Sequence, residues 1–558
     1  MFFDSTDVIR LLFSRSSECC VVVLAILIFI TFSLWSRLMP ARWHYARCIV
    51  NSDIAFAILA GLLIVLGRIP TWTSRDANVD EAQWLAGSIT LADEYGFWRV
   101  DGTTSGPLVI HFLWIWNTIC GAHTFFAAKL LTTCVSATNC LLSYYAIRTF
   151  IDKSAAQALC LPFAVAVALM RSRDFVGYNG EQLPMLLLAV AIVLLLRILK
   201  SKRETPGLSV LLGLVLGILP YSKLQAIPMG LCLGLCGLWV LRRKKCIAYL
   251  IGGTLIAAGV PLALLFCNGE LGDFYVSYIG ENMHYAASHS PLPMVKRVYA
   301  FPLAWWRIPD GRFLVGCSFV LIAVLGIVRL RSRRVSVVDN DSVLAGAIVY
   351  LGTAAYCVIQ PGTFYTHYYL FMVSPLVLVV AAFVKSGLVG LSEQAQSRFC
   401  QAWAFVALAG VLVGYVEHGG QSYVFEWAAM KSPAASGVID MIRESAGPKY
   451  HLAIWGWMPE LHVDSQIPQA TSEAHSYRQI MGGEYQEYFV ARFVRQLELH
   501  EQRLIFVDAT DSERAGSLRD ARFSHEKYSK VKEFVDQKMA FVGVANGYRV
   551  YRSIKNGS

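Results

Sequence analysis

Residues 54–86 read IAFAILAGLLIVLGRIPTWTSRDANVDEAQWLA. The first half, Ile54–Gly67, carries no charged side chain. It is close to the roughly 17–25 residues that cross a hydrocarbon core as a helix. The second half turns acidic at once, so an apolar span delivers the chain to a polar segment at the membrane surface. Blocks like the first half recur at Cys20–Trp35, Pro184–Leu196, Ile247–Cys267 and Val343–Ile359. Of the 558 residues, 56% are hydrophobic and 16% charged, against about 25% charged in soluble domains. The mean hydropathy is +0.49. The chain therefore reads as a polytopic α-helical membrane protein.

The formal charge of +10 raises the question of nucleic acid, and its distribution answers it. The basic residues fall in short loops: Arg37, Arg42 and Arg47; Arg148 and Lys153; Lys200, Lys202 and Arg203; Arg242–Lys245; and Arg329–Arg334. Under the positive-inside rule these loops face the cytoplasm, so the charge is topological and nucleic acid is not an expected partner. Spans are expected at 19–36, 53–68, 124–148, 155–170, 184–199, 207–220, 224–241, 247–267, 313–330, 343–360, 367–384 and 402–417, about twelve in all. The block at 19–36 lacks an A-x-A-like cleavage site and reads as a retained span. Segments 69–123, 268–312 and everything after about 418 then lie outside the cytoplasm. Pro107–Cys120 is apolar but short; spanning would invert every later loop, so it is laid along the outer interface, where Trp114 and Trp116 suit the headgroup boundary.

After Glu426 charged residues become frequent and the apolar runs shorten. Tyr450–Trp455 and Leu504–Asp508 read as strands, with a helical pattern at Tyr485–Leu499 between them. Met539–Val544 and Tyr548–Arg552 flank Ala-Asn-Gly, a hairpin signal. The expected organisation is an N-terminal span and cytoplasmic loop at 1–52, a transmembrane domain at 53–417 and a small extracytoplasmic α/β domain at 418–558. None of the fourteen cysteines follows Cys400, so that last domain has no disulfide framework.

The polar chemistry gathers on one side. Loop 69–106 carries Asp76, Asp80, Glu81, Asp93, Glu94 and Asp101 against Arg75 and Arg99. Asp80-Glu81 opens a helix whose dipole favours ionised carboxylates. Such a carboxylate at the boundary can take a proton from a hydroxyl or hold a divalent cation; the plainer reading is a solvated helix start with Asp as its cap. A second cluster is Arg171, Arg173 and Asp174 with Tyr178-Asn-Gly-Glu181. A third is Tyr221-Ser-Lys223-Leu-Gln225, in which Lys223 either meets a lipid phosphate or snorkels at a helix end. Loop 268–312 holds His284, His289, Lys296, Arg297, Trp305, Trp306 and Arg307, suited to a sugar pocket or a metal; a five-residue spacing does not put the two histidines on one helical face. His367 stands at the outer mouth of a span, facing either a cavity or the aromatic belt. The span interiors hold essentially no Asp or Glu, unlike ion-coupled transporters.

Taken in order, Val79-Asp-Glu-Ala-Gln-Trp-Leu-Ala86, Gly106-Pro-Leu108, Asn179-Gly-Glu181, Ser222-Lys-Leu-Gln-Ala-Ile-Pro228, His367-Tyr-Tyr-Leu370 with Ser374-Pro375, and Ile454-Trp-Gly-Trp-Met-Pro-Glu-Leu461 resemble the GT-C superfamily of membrane glycosyltransferases. Within it they are most similar to bacterial relatives of the dolichyl-phosphate-mannose protein mannosyltransferases, including lipid A glycosyltransferases. The resemblance covers about 55–460. It implies transfer of a hexose or pentose, with inversion, from a polyprenyl-phosphate donor to a lipid, glycan or protein acceptor on the periplasmic face of a bacterial inner membrane.

By the same resemblance Asp80 is the general base, and Glu81 orients the acceptor or helps hold a divalent ion. Lys223, helped by Arg171 and Arg173, stabilises the departing phosphate. Asn179, Glu181, Gln225, His367 and Tyr368 line the substrate pocket. No cofactor is required by the residues; a divalent cation is admitted, with Glu94 and His284 as candidate ligands. Two departures stand out: the extra span at 19–36, and Ser105-Gly-Pro107 where relatives often have Lys-Pro-Pro, which removes a lysine that could contact phosphate. The competing readings are a flippase for a lipid-linked saccharide, which would need a hydrophilic path through the midplane, and a non-catalytic membrane subunit.

Overall fold

The computed structural model describes residues 52–72, 79–242, 245–288, 293–308, 311–331, 338–389, 391–417, 436–512 and 518–554. The expected span at 19–36, and Asp76 and His289, lie outside them. Among the described residues nine helices are long and apolar enough to cross a membrane: Asp53–Thr71, Phe125–Arg148, Gln182–Lys200, Leu224–Leu241, Ile247–Cys267, Arg312–Leu330, Ser342–Ile359, Thr366–Gly387 and Glu393–Tyr415. Lys153–Leu169 and Pro206–Tyr221, expected as spans, are shorter apolar helices. Pro107–Cys120 is a helix as well.

The helix at Val79–Asp93 is enclosed by its neighbours: every residue from Glu81 to Leu91 is buried. It packs against Pro107–Cys120 and Phe125–Arg148, with Ala82, Leu85 and Ile89 in one apolar cluster with Val109, Ile110, Leu113, Phe125 and Ala128. Apolar residues beyond one face (Trp84, Leu91) are what the sequence offered, and a helix apolar on several sides is buried.

The C-terminal segment forms a four-stranded sheet of order β1-β2-β4-β3, from β1 His451–Trp455, β2 Leu504–Asp508, β3 Met539–Ala545 and β4 Tyr548–Ser553. Strand β1 runs parallel to β2, and β4 antiparallel to β2 and β3. Alternation along the strands serves two cores. Leu452, Ile454, Ile505 and Val507 pack with Val438 and Ile442 of the helix Ser436–Ser445. Ala453, Trp455, Leu504 and Phe506 pack with Phe493 and Leu497 of the helix Gln486–Leu499 and with Val531 and Val535 of the helix Ser529–Lys538. Asn546 and Gly547 close the β3–β4 hairpin at φ 52° and 80°, the double positive φ of a two-residue turn.

This domain is clamped onto the segment that follows the first described span. Asp101 N–H donates to Ser472 O (2.8 Å), Gln469 N–H to Thr90 Oγ1 (3.0 Å) and Arg99 Nη2 to Gln469 O (2.9 Å). Beneath these, Arg478 and Arg492 both pair with Asp101 and Glu473, and all four are buried.

Candidate functional site

Two glycines bring three distant segments into contact. A Cβ on Gly106 would stand 2.1 Å from Tyr221 O, and Gly106 N–H donates to Ser222 O at 2.9 Å. A Cβ on Gly180 would stand 2.1 Å from Ser105 Oγ and 3.2 Å from Lys223 Nζ. Only backbone without a side chain passes this closely. The motif pieces around 105–107, 179–181 and 221–225 are thereby one structure.

At their meeting point Lys223 Nζ forms an ion pair with Glu181 Oε1, and both residues are buried. His367 Nε2 lies 3.9 Å from the same carboxylate oxygen, and Lys223 Nζ sits over the Tyr368 ring, 5.4 Å from its centroid. Asn179 shapes the turn: its Nδ2 donates to Asp174 O (2.7 Å) and its Oδ1 accepts from Glu181 N–H (3.3 Å). Asp80, half-buried at the start of its helix, feels the charges of His367, Lys223, Glu181 and Asp174. Burial raises its carboxyl above the ordinary aspartate range, and the pull of His367 and then Lys223 only partly offsets that. Glu181 moves the other way. Burial alone would raise it, but Lys223 and His367 hold it below the usual carboxylate range.

Beside this cluster opens a cavity of about 510 Å³, lined among others by Lys223, Gln225, Asn282, Tyr285, Gln360 and Tyr368. Gln225 Nε2 donates to Cys357 O at 2.6 Å, which fixes that wall. A cationic group at the edge of a cavity of this size, with a carboxylate nearby, can hold a phosphate-bearing ligand and accept a proton from a second one.

Other expected residues sit elsewhere. Glu81 is fully buried: Lys129 Nζ lies 2.5 Å from its Oε2, and Tyr178 N–H donates to its Oε1 at 2.9 Å. Each carboxylate oxygen thus has a partner on a neighbouring segment, which links the Asp80 helix to Phe125–Arg148 and to the turn at Tyr178. Arg171 is spent on backbone, donating to Ala168 O (3.1 Å), Met170 O (2.8 Å) and Gly67 O (2.9 Å). Arg173 is half-exposed and pairs with Asp174 at 3.8 Å. Neither arginine is brought to Lys223 by these contacts. Glu94 and His284 have different partners: His284 Nδ1 is 3.5 Å from Glu484 Oε2, whereas Glu94 groups with His451 and His500. Lys129 reads in sequence only as a lysine near a span end. Its pairing with Glu81, like the grouping of His451 and His500 with Glu94, joins residues too far apart in the chain for spacing to show.

No protein-family model matches the chain, and no curated protein does. Solved structures do. The crystal structure of ArnT from Cupriavidus metallidurans bound to undecaprenyl phosphate superposes with a TM-score of 0.56 at 12% identity, covering 90% of this chain and 98% of that one. Its apo form gives 0.55, again at 12% identity and with the same coverage. The chain shares the fold of ArnT. The archaeal oligosaccharyltransferase AglB from Archaeoglobus fulgidus, in complex with an inhibitory peptide and a dolichol-phosphate, aligns more loosely at a TM-score of 0.44 and 10% identity, over 90% of this chain and 74% of that one. The chain is a multi-pass membrane protein with a small C-terminal α/β domain.

Proposed function

We propose that this chain is a membrane glycosyltransferase that moves a sugar from a polyprenyl-phosphate donor to a hydroxyl-bearing acceptor with inversion, on the periplasmic side of a bacterial inner membrane. The observation that carries the reading is Lys223 on the wall of the cavity, with Asp80 in the same charged cluster. The fold it shares with ArnT, whose crystal structure holds undecaprenyl phosphate, supports the donor class.

In this reading the donor phosphate sits against Lys223. An ammonium has three donors, and Glu181 engages one of them, so Lys223 can keep its place and still meet the phosphate. Asp80 removes the proton from the acceptor hydroxyl as its oxygen bonds to the anomeric carbon. The bond from that carbon to the phosphate oxygen breaks, the electron pair leaves with the polyprenyl phosphate, and Lys223 and His367 offset the charge that appears there. No covalent enzyme intermediate is needed for a single inversion. Glu81 and Lys129 hold the helix that carries Asp80, and Gln225 and Tyr368 shape the wall.

The test is transfer by the purified protein in nanodiscs, with a panel of radiolabelled polyprenyl-phosphate sugars and crude membrane acceptor. Product with wild type, falling by about 10²–10⁴-fold in Asp80→Asn at unchanged thermal stability, is the expected result. Near-normal turnover in Asp80→Asn would remove Asp80 as the base, and no product from any donor with folded protein would remove the reaction class.

A further inference from the structure

Away from the Asp80 cluster, three side chains from three separate elements converge. Glu94 follows the helix Val79–Asp93, His451 opens strand β1, and His500 caps the helix Gln486–Leu499. One ligand atom of each lies within 4.8 Å of the others. The two imidazoles lie against one another, centroids 4.1 Å apart and planes inclined by 33°. Asp93 Oδ2 lies 3.4 Å from His451 Nε2, while His451 Nδ1 is buried without a hydrogen-bond partner. Glu94 is itself held: Arg99 Nε donates to its Oε2 at 2.8 Å, and Arg99 is anchored in turn on Gln469 O.

We propose that Glu94, His451 and His500 form a divalent transition-metal site of the zinc type, which ties the C-terminal domain to the segment that carries Asp80. A carboxylate on one ring nitrogen fixes the ring and leaves the other nitrogen's lone pair for a metal, the usual way a ligating histidine is oriented. Asp93 and the unpartnered Nδ1 of His451 have that relation. Two imidazole nitrogens and one carboxylate oxygen suit zinc and its neighbours, whereas calcium and magnesium take sets of oxygens. Ligands about 2.1 Å from a tetrahedral zinc stand roughly 3.4 Å from one another, so closing the group on a cation takes side-chain adjustments of about an ångström. Glu94 is exposed, which gives the ion a way in and leaves a fourth position for water. The site is separate from the transfer chemistry, and its test does not depend on activity.

Full-length protein in detergent, stripped with a chelator, is titrated with Co²⁺ and then with Zn²⁺. Wild type is expected to take up one equivalent of Co²⁺ with the visible absorption of a tetrahedral site, to lose that colour to Zn²⁺, and to gain a few degrees of melting temperature on metal binding. Glu94→Gln, at an exposed position, and His500→Gln are each expected to weaken Co²⁺ binding at least tenfold, while His284→Gln leaves it unchanged. Wild type that binds no Co²⁺, or Glu94→Gln and His500→Gln variants that both keep the wild-type stoichiometry and spectrum, would overturn the site. Loss of binding in His284→Gln with retention in His500→Gln would move it elsewhere and overturn it equally.

Discussion

As the proposed base, Asp80 would accept a proton only while ionised, and burial raises its carboxyl above the ordinary aspartate range. Activity should therefore fall as pH drops, along an acid limb centred above that range. His367 is the strongest of the charges that pull Asp80 down, so His367→Gln should move the limb to higher pH, read as kcat/KM against pH. A limb that stays in place in that variant would mean another group titrates. The neighbouring Glu81 shows what sequence hides at this scale. Two adjacent carboxylates at a helix start look alike, and only the fold gives one of them a buried lysine 48 residues away. Removing one partner of a buried pair costs about 3–5 kcal/mol, whereas replacing both with neutral groups is far milder. Lys129→Met should accordingly lower the melting temperature in detergent strongly, and Glu81→Gln/Lys129→Met should recover much of the loss. A double variant as unstable as the single would show that packing, not charge, holds the site.

Helices written in long apolar blocks were legible because their signal lies in consecutive residues, and so was the Ala-Asn-Gly hairpin, whose turn chemistry is local. The helix Val79–Asp93 was legible as a helix but not as a buried one, since its cover comes from Pro107–Cys120, Phe125–Arg148 and Val463 of the C-terminal domain. The crossings at Gly106 and Gly180 belong to the same class: each glycine is visible, its neighbour is not. They differ in what an added methyl would meet. At Gly106 it meets the Tyr221 carbonyl, which cannot rotate away; at Gly180 it meets the Ser105 hydroxyl, which leaves with Ser105→Ala. Gly106→Ala should thus cost about 1–3 kcal/mol of stability and lower transfer at least tenfold. Gly180→Ala should be partly rescued by Ser105→Ala in both readouts. Equal defects in Gly180→Ala with and without Ser105→Ala would place the clash on Lys223 Nζ, 3.2 Å from the added methyl, instead.

The molecule as a whole depends on how its C-terminal domain seats on the loops between membrane helices. Asp101 from one loop and Asp273 from another meet Arg492, while Arg478 shares Asp101 and Glu473 with it. Arg492 Nη1 also donates to Ser277 Oγ at 2.6 Å, and Arg478 Nη1 to Ser277 O at 2.9 Å. No stretch of sequence announces this network, because Asp101 and Asp273 lie 391 and 219 residues from Arg492. Burial alone would raise the Asp101 carboxyl, but the two guanidiniums outweigh it and hold the group below the ordinary range. A carboxylate depressed in the folded state adds stability that is complete above its unfolded pKa and is lost as pH falls through the folded one. Wild type should therefore lose melting temperature on acidification below the ordinary carboxylate range, beginning with the seating of this domain. Asp101→Asn removes one anion from between two buried cations and should cost about 3–5 kcal/mol at neutral pH. Because the titrating group is gone, the variant should also show a shallower acid dependence than wild type. Hydrogen exchange separates seating from folding: faster exchange at Phe97–Asp101 and Tyr477–Ile480 in Asp101→Asn, with strands β1 and β2 still protected, is the expected pattern. Uniform acceleration through β1 and β2 would mean that the network holds the domain's own fold rather than its attachment to the membrane helices.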